Sequence, residues 1–212
     1  MENSEKTKVL IVEDQKMIRD YLEMYLAKDE QFDLVDSTEN AAMAEQICEE
    51  KEIDLILMDV LTDDGQSGLE ATRSIKQRFE DIKIVIVTSL LDERVLQKAK
   101  DVGADSLWYK DVSPEELIGI LKRTLNGESV FPDSAPEVMI GEASSYEFTS
   151  KEKEVLAYMV RGLSYYEIAD EMNINIQSVK YHVSNMLQKT GIKNKLQLVL
   201  AVQNQKFIVD DV

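Results

Sequence analysis

A carboxylate closes the apolar run Ile53-Asp54-Leu55-Ile56-Leu57-Met58-Asp59, and a pair of them, Glu13-Asp14, closes Lys8-Val9-Leu10-Ile11-Val12. Thr88 ends a third run, Lys83-Ile84-Val85-Ile86-Val87, and Lys110 ends a fourth, Asp105-Ser106-Leu107-Trp108-Tyr109. Three carboxylates, a hydroxyl and an ammonium make a site for a divalent cation and a phosphoryl group. Hard cations take carboxylate oxygens, so Glu13, Asp14 and Asp59 are the candidate ligands of Mg2+ or another divalent cation. A carboxylate can also accept a phosphoryl group as an acyl phosphate, which makes Asp59 the candidate nucleophile. Such a transfer needs alignment and charge neutralisation more than covalent assistance. Lys110 can supply positive charge, and Thr88 can hydrogen-bond a phosphoryl oxygen. Each residue alone has an ordinary structural explanation; the combination points to a phospho-acceptor.

For these side chains to meet, their runs must be neighbouring parallel strands. The carboxyl edge of an open α/β sheet is where ligands bind. Strand patterns fall at 8–12, 32–36, 53–59, 83–88 and 104–109, and helix patterns at 15–28, 40–51, 67–79, 92–102 and 113–126. The alternation predicts a flavodoxin-like, doubly wound, five-stranded parallel sheet, an α/β domain over 7–126. Asp92 and Ser113 stand at N-cap positions, and Ser113-Pro114-Glu115-Glu116 puts proline at the first helical residue. Asn126-Gly127 ends the last of these helices.

Residues 127–146 hold two of the three prolines and read as a linker, with one helical turn expected around 137–140. From Phe148 the pattern is wholly helical, so 147–212 is expected to be a separate all-α domain. Thr149-Ser150-Lys151-Glu152 and Ser164-Tyr165-Tyr166-Glu167 are capping boxes. Helices are expected from each, then from Ile176 to about Thr190 and from about Lys195 to Gln203. Short helices joined by tight turns, here Asn173-Ile174-Asn175, form a helix-turn-helix. In the third of them Val179, Val183, Met186 and Leu187 recur at core spacing. Gln177, Lys180, Tyr181, Ser184 and Gln188 make an opposite face with no acidic residue, suited to the DNA major groove, which admits one α-helix. Ser178 and Lys189 are placed for phosphates. His182 lies between the two faces and reads as a packing or capping residue, since it is the only histidine.

The net charge of −17 is uneven. Residues 1–146 hold 16 Lys and Arg against 33 Asp and Glu, whereas 147–206 hold eight against six. An acidic module thus precedes one able to approach a polyanion. A single cysteine, Cys48, excludes an internal disulfide framework and falls in a helical core pattern. No apolar stretch approaches transmembrane length, the first residues do not look like a secretory signal, and cytoplasmic residence is expected.

Residues 8–126 resemble the receiver domain of two-component response regulators. The resemblance rests on Val12-Glu13-Asp14, Met58-Asp59-Val60, Gly68-Leu69-Glu70, Val87-Thr88-Ser89, Gly103-Ala104-Asp105 and Tyr109-Lys110-Asp111. It implies a sensor histidine kinase as phosphoryl donor to Asp59, and Mg2+ held by Glu13, Asp14, Asp59 and the main-chain carbonyl of Leu61. Two features depart from the pattern. The loop Val60-Leu61-Thr62-Asp63-Asp64-Gly65-Gln66-Ser67-Gly68 is one residue longer, more acidic and without proline. Leu107 stands where receivers often carry an aromatic residue, so an aromatic rotamer switch does not follow from the resemblance. Leu61 and Leu90, two residues past Asp59 and Thr88, would flank the phosphoryl group with apolar surface and prolong the life of the acyl phosphate.

Residues 148–202 resemble the LuxR-type helix-turn-helix. The matching stretches are Phe148 to Leu156, Gly162-Leu163-Ser164, Glu167-Ile168-Ala169, Ser178 to Leu187 and Lys189-Thr190-Gly191. The pair of modules is similar to the NarL/FixJ class of response regulators. That resemblance implies a phosphoprotein that regulates transcription, binding pseudo-palindromic double-stranded DNA as a homodimer, often through the last helix, here about 195–203. Two alternatives are a regulator that binds DNA without phosphorylation and a Mg2+-dependent aspartyl phosphatase. The second needs Asp-x-Asp, and Leu61 occupies the second acidic place. Beyond phosphorylation and dephosphorylation of the receiver itself, no enzyme activity is expected.

Overall fold

The computed structural model describes residues 6–62, 67–110 and 114–208. The expected Ser113 cap, the Asp63-Asp64-Gly65-Gln66 stretch and Asp111 lie outside the described residues. The chain divides into two compact units, Met1–Ser89 with Arg94–Asp133, and Leu90–Glu93 with Ser134–Val212.

In the first unit the strands are β1 (Thr7–Val12), β2 (Phe32–Thr38), β3 (Leu55–Met58), β4 (Lys83–Thr88) and β5 (Ser106–Tyr109). They form one parallel sheet in the order β2-β1-β3-β4-β5. Strands covered on both faces read as continuous apolar runs, which is why β1, β3, β4 and β5 lack alternation. Val9, Ile11, Leu55, Leu57, Val85, Val87 and Trp108 share one face with Leu22 and Leu26 of helix α1 (Lys16–Leu26) and Leu117 and Leu121 of α5 (Pro114–Leu125). The intervening Leu10, Ile56, Ile86 and Leu107 point the other way and are buried as completely. Between the strands run α2 (Ala41–Glu50), α3 (Gly68–Arg78) and α4 (Glu93–Asp101). Cys48 is a buried core residue, and burial pushes its thiol up to about 11.

Two strands begin later than their apolar patterns suggest. The Asp54 carboxylate accepts the Lys8 N–H at 2.7 Å, and that of Asp105 accepts the Ile84 N–H at 2.9 Å. These side chains satisfy backbone donors beside the strand starts, while the Asp54 and Asp105 N–H groups themselves still donate to the Lys8 and Ile84 carbonyls at 2.9 and 2.8 Å.

The stretch expected as a linker is structured on both sides. Val130 extends the sheet edge: its carbonyl accepts the Leu107 N–H at 3.0 Å and its own N–H donates to Ser106 Oγ at 2.9 Å. The helical turn expected at 137–140 does not form. In its place β6 (Met139–Ile140) and β7 (Ala143–Ser144) make an antiparallel hairpin, followed by a 3-10 turn over Ser145–Glu147. Ile140 and Ala143 are buried in the core of the second unit, so burial selects the extended pairing. Gly141 turns the hairpin at φ 63°, and a Cβ there would lie 2.2 Å from the Thr190 carbonyl oxygen.

The second unit holds α6 (Ser150–Val160), α7 (Tyr165–Glu171), α8 (Ile176–Thr190) and α9 (Lys195–Asn204). Both capping boxes form, Thr149 with Glu152 and Ser164 with Glu167. Asn175 and Asn194 cap α8 and α9. The core gathers Val155, Leu156, Ile168, Val179, Val183, Met186, Leu198 and Val202. Gly191 ends α8 in the left-handed conformation that glycine adopts without a side-chain clash.

Candidate functional site

The sheet ladder continues one residue past several strands and carries the polar residues to a common edge. The Asp59 N–H donates to the Val12 carbonyl at 2.9 Å, and the Lys110 N–H to the Thr88 carbonyl at 2.9 Å. The Glu13 N–H donates to the Thr38 carbonyl at 2.9 Å. Glu13, Asp59 and Lys110 thereby converge. The Lys110 ammonium lies 2.7 Å from Asp59 Oδ2 and 2.5 Å from Glu13 Oε2, and all three side chains are at most 7% exposed. One oxygen each from Glu13, Asp14 and Asp59 fall within 4.8 Å of one another. Thr88, also fully buried, ends β4 beside the Lys110 backbone. Leu61 follows two residues after Asp59, with its side chain 45% exposed.

The electrostatics of this pocket are unbalanced. Burial, and then the neighbouring Asp59 charge, push the Glu13 carboxyl up to about 7 against the opposing pull of Lys110. Burial also raises Asp59, while Lys110 and the Val60 N–H, 2.7 Å from Asp59 Oδ1, favour its charged form. Among the described residues one ammonium, Lys110, pairs with two of the three carboxylates, Glu13 and Asp59. Asp14 Oδ1 is buried with no hydrogen-bond partner among the described residues, and a buried acceptor left unsatisfied calls for an explanation. A hard divalent cation bound by carboxylate oxygens meets both deficits, so these residues fit such an ion. The same groups can support an acyl phosphate: a carboxylate nucleophile, an adjacent ammonium and, at the end of the neighbouring strand β4, the hydroxyl-bearing Thr88.

Two contributors are not evident from residue type. Gly68 donates its N–H to the Val60 carbonyl at 2.9 Å, and a Cβ at this position would stand 1.8 Å from the Asp59 carbonyl oxygen. Arg19 donates from Nη1 to the Glu13 carbonyl at 2.5 Å, fixing the backbone of the acidic pair. Gly68 is marked only as part of a motif, and the spacing of Arg19 carries no signal. Leu107, where an aromatic switch residue would stand, is a buried strand residue bonded through its N–H to Val130.

In the second unit α8 presents Gln177, Lys180, Tyr181, Ser184 and Gln188 as exposed residues, while Val179, Val183 and Met186 face inward. Ser178 is half-buried at the helix start, and its N–H donates to the Asn175 cap at 2.8 Å. Lys189, expected at a phosphate, has partners within the domain. Its ammonium donates to Glu152 Oε2 at 2.7 Å and to the Glu147 carbonyl at 2.8 Å, tying α8 to the start of α6. Burial would raise the Glu152 carboxyl, but Lys189 and the Thr149 N–H hold it below its usual range. His182 is half-buried with its ring packed against Tyr181, as a packing residue would be.

Residues 9–122 match the family of response regulator receiver domains, and residues 147–202 match the luxR family of bacterial regulatory proteins. The response regulator protein VraR of Staphylococcus epidermidis is 36% identical over 201 residues, covering 91% of this chain and 94% of that protein. VraR of Staphylococcus aureus is 36% identical over 203 residues with the same coverage. A solved structure of RcsB dimers bound to DNA aligns with a TM-score of 0.65 at 20% identity, covering 94% of this chain and 98% of that one. A LuxR-family two-component response regulator from Aurantimonas sp. aligns with a TM-score of 0.57 at 25% identity, covering 59% of this chain and 89% of that one.

Proposed function

We propose, from the premise that this chain belongs to the two-component response regulators, a receiver domain followed by a luxR-family DNA-binding domain, that Asp59 is its phospho-acceptor. The chain is a transcription regulator of the NarL/FixJ class, and a histidine kinase is the partner its receiver implies. The observation that carries the assignment is the Lys110 ammonium held between Asp59 and Glu13, with a third carboxylate, Asp14, in the same pocket.

A carboxylate oxygen of Asp59 attacks the phosphorus of the kinase phosphohistidine. The phosphorus–nitrogen bond breaks, its electron pair remains on the imidazole, and a mixed anhydride forms on Asp59. Lys110, already beside Asp59, neutralises charge on the arriving group. Thr88 hydrogen-bonds a phosphoryl oxygen once it is attached. Glu13, Asp14, Asp59 and the Leu61 carbonyl would hold Mg2+. When bound, that ion supplies the positive charge that three carboxylates and a phosphoryl group lack. The new tie between phosphoryl group, Thr88 and Lys110 biases a two-state equilibrium in the receiver.

Residues 7–126 are assigned to this chemistry, 127–146 to the connection and 147–212 to DNA. Helix α8 enters the major groove with Gln177, Lys180, Tyr181, Ser184 and Gln188, and Ser178 meets a phosphate. RcsB is bound to DNA as dimers, and a homodimer on a two-fold site is proposed here as well. Leu196 and Leu200 of α9, 66% and 49% exposed, supply apolar surface for it. The cytoplasm, where a bacterial chromosome lies, is the proposed compartment. No helix among the described residues is long and apolar enough to cross a membrane.

The test is treatment with acetyl phosphate and Mg2+ followed by intact-mass measurement and DNA footprinting. One phosphoryl adduct is expected, lost in Asp59→Asn and in chelator, together with tighter protection of DNA. An adduct that persists in Asp59→Asn would move the acceptor elsewhere.

A further inference from the structure

Helix α8 carries two lysines. The Lys189 ammonium is bound to Glu152 and the Glu147 carbonyl, which leaves Lys180 as the cation of the exposed face. The rest of that face is neutral: Gln177, Tyr181, Ser184 and Gln188. Residues 147–206 hold only eight Lys and Arg against six Asp and Glu, a modest supply for phosphate contacts, which dominate non-specific affinity. The exposed face of α8 itself thus offers contacts to base edges more than charge for phosphates.

Tyr181 is the large apolar group of this face and is 64% exposed. It lies between Gln177 and Ser184 at the i,i+4 and i,i+3 spacings that place side chains side by side. The half-buried His182 ring stands edge-on to it, 5.8 Å between centroids at 64°. Base-pair edges in the major groove display donors and acceptors and a single apolar group, the C5 methyl of thymine. A tyrosine ring brought to that groove desolvates polar edges at a cost, or covers a methyl at a gain.

We infer that Tyr181 determines sequence specificity by packing its ring on the 5-methyl group of a thymine, with Gln177 and Ser184 reading the neighbouring positions. The inference rests on the proposed insertion of α8 into DNA and adds the chemistry that is read there.

The test begins with selection of duplexes from a random library by the full chain treated with acetyl phosphate. Each thymine of the enriched site is then replaced by deoxyuridine, which removes only the methyl. At one thymine per half-site, wild-type affinity is expected to fall about three- to tenfold. Tyr181→Phe keeps that sensitivity. Tyr181→Ala binds thymine and uracil duplexes equally, and thermal unfolding checks that the exposed substitution leaves the domain folded. An enriched site in which every thymine can be replaced without loss overturns the inference and leaves DNA reading intact. So does a uracil penalty that persists in Tyr181→Ala. Failure to enrich any duplex overturns the DNA-reading function and this inference with it.

Discussion

A Cβ atom on residue 68 would stand 1.8 Å from the main-chain oxygen of Asp59, so Gly68 and Asp59 meet at a distance that only glycine allows. The start of α3 is thereby laid directly on the backbone of the proposed acceptor, with the Gly68 N–H bonded to the Val60 carbonyl. Gly68→Ala must push these two segments apart. The expected cost is about 1–3 kcal/mol of stability, as for other over-packed sites. Acetyl-phosphate labelling of Asp59 should slow by about tenfold or more, since misplacement near 1 Å is enough to impair transfer. Denaturant midpoints and timed intact-mass spectra measure the two effects. Labelling at the wild-type rate would show that this contact does not align the acceptor.

Glu13 makes the pocket sensitive to pH. Its carboxyl is pushed from 4.5 up to about 7 by burial and by Asp59. Below pH 4.5 the group is protonated in both folded and unfolded chains and costs nothing. As pH rises towards 7 the unfolded chain ionises first, so stability falls, and above 7 the full penalty is present. In chelator, Glu13→Gln should therefore stabilise the receiver at pH 8, on the order of 1–3 kcal/mol, and have little effect at pH 4. Mg2+ competes with the same proton, so wild-type affinity for the ion should drop several-fold between pH 7.5 and 6. Guanidinium midpoints and Mg2+ titrations at each pH check both signs. A stabilisation equal at pH 4 and 8 would assign the effect to packing.

The acidic edge was legible because each of its residues follows an uninterrupted apolar run. A strand buried on both faces shows no alternation, so the polar residue that ends it stands out, as Asp59 does after Leu55-Ile56-Leu57-Met58. The capping boxes at Thr149 and Ser164 were legible for a similar reason, since their partners lie three residues away. What sequence reading missed depends on distant partners. Lys189 meets Glu152 across 37 positions, and Gly141 is required by the carbonyl of Thr190. The hairpin at Met139–Ile140 carries too few residues for periodicity to show, and burial of Ile140 and Ala143 against other elements decides its form.

Lys180 and Lys189 should separate binding from folding. Lys189→Ala leaves Glu152, 2% exposed, without its cation, and a buried charge deprived of its partner is strongly destabilising. With Lys189 itself partly solvated, a loss of about 1–3 kcal/mol is expected, and DNA affinity should fall only as the folded fraction falls. Lys180→Ala, at an exposed position, should leave stability within about 0.5 kcal/mol. It should weaken DNA binding and reduce the salt slope by about one if Lys180 meets a phosphate. Paired unfolding and salt-titration curves read both outcomes. A Lys189→Ala protein of wild-type stability would return that lysine to the DNA surface.

Hydrolysis of the phosphorylated form tests the apolar surroundings of the acceptor. Leu61 follows two residues after Asp59, and its aliphatic side chain, 45% exposed, offers no hydrogen bond to an attacking water. Loss of the phosphoryl group needs a water aligned with the phosphorus, and a polar side chain can hold one there. Leu61→Asn should therefore shorten the lifetime of the adduct severalfold. Unfolding midpoints should stay near wild type for this variant, because that side chain is half in solvent. The measurement is decay of the phosphorylated mass after removal of acetyl phosphate, with Mg2+ held constant. Decay at an unchanged or slower rate would show that Leu61 does not control access of water, and that the lifetime is set by Thr88 and Lys110 instead.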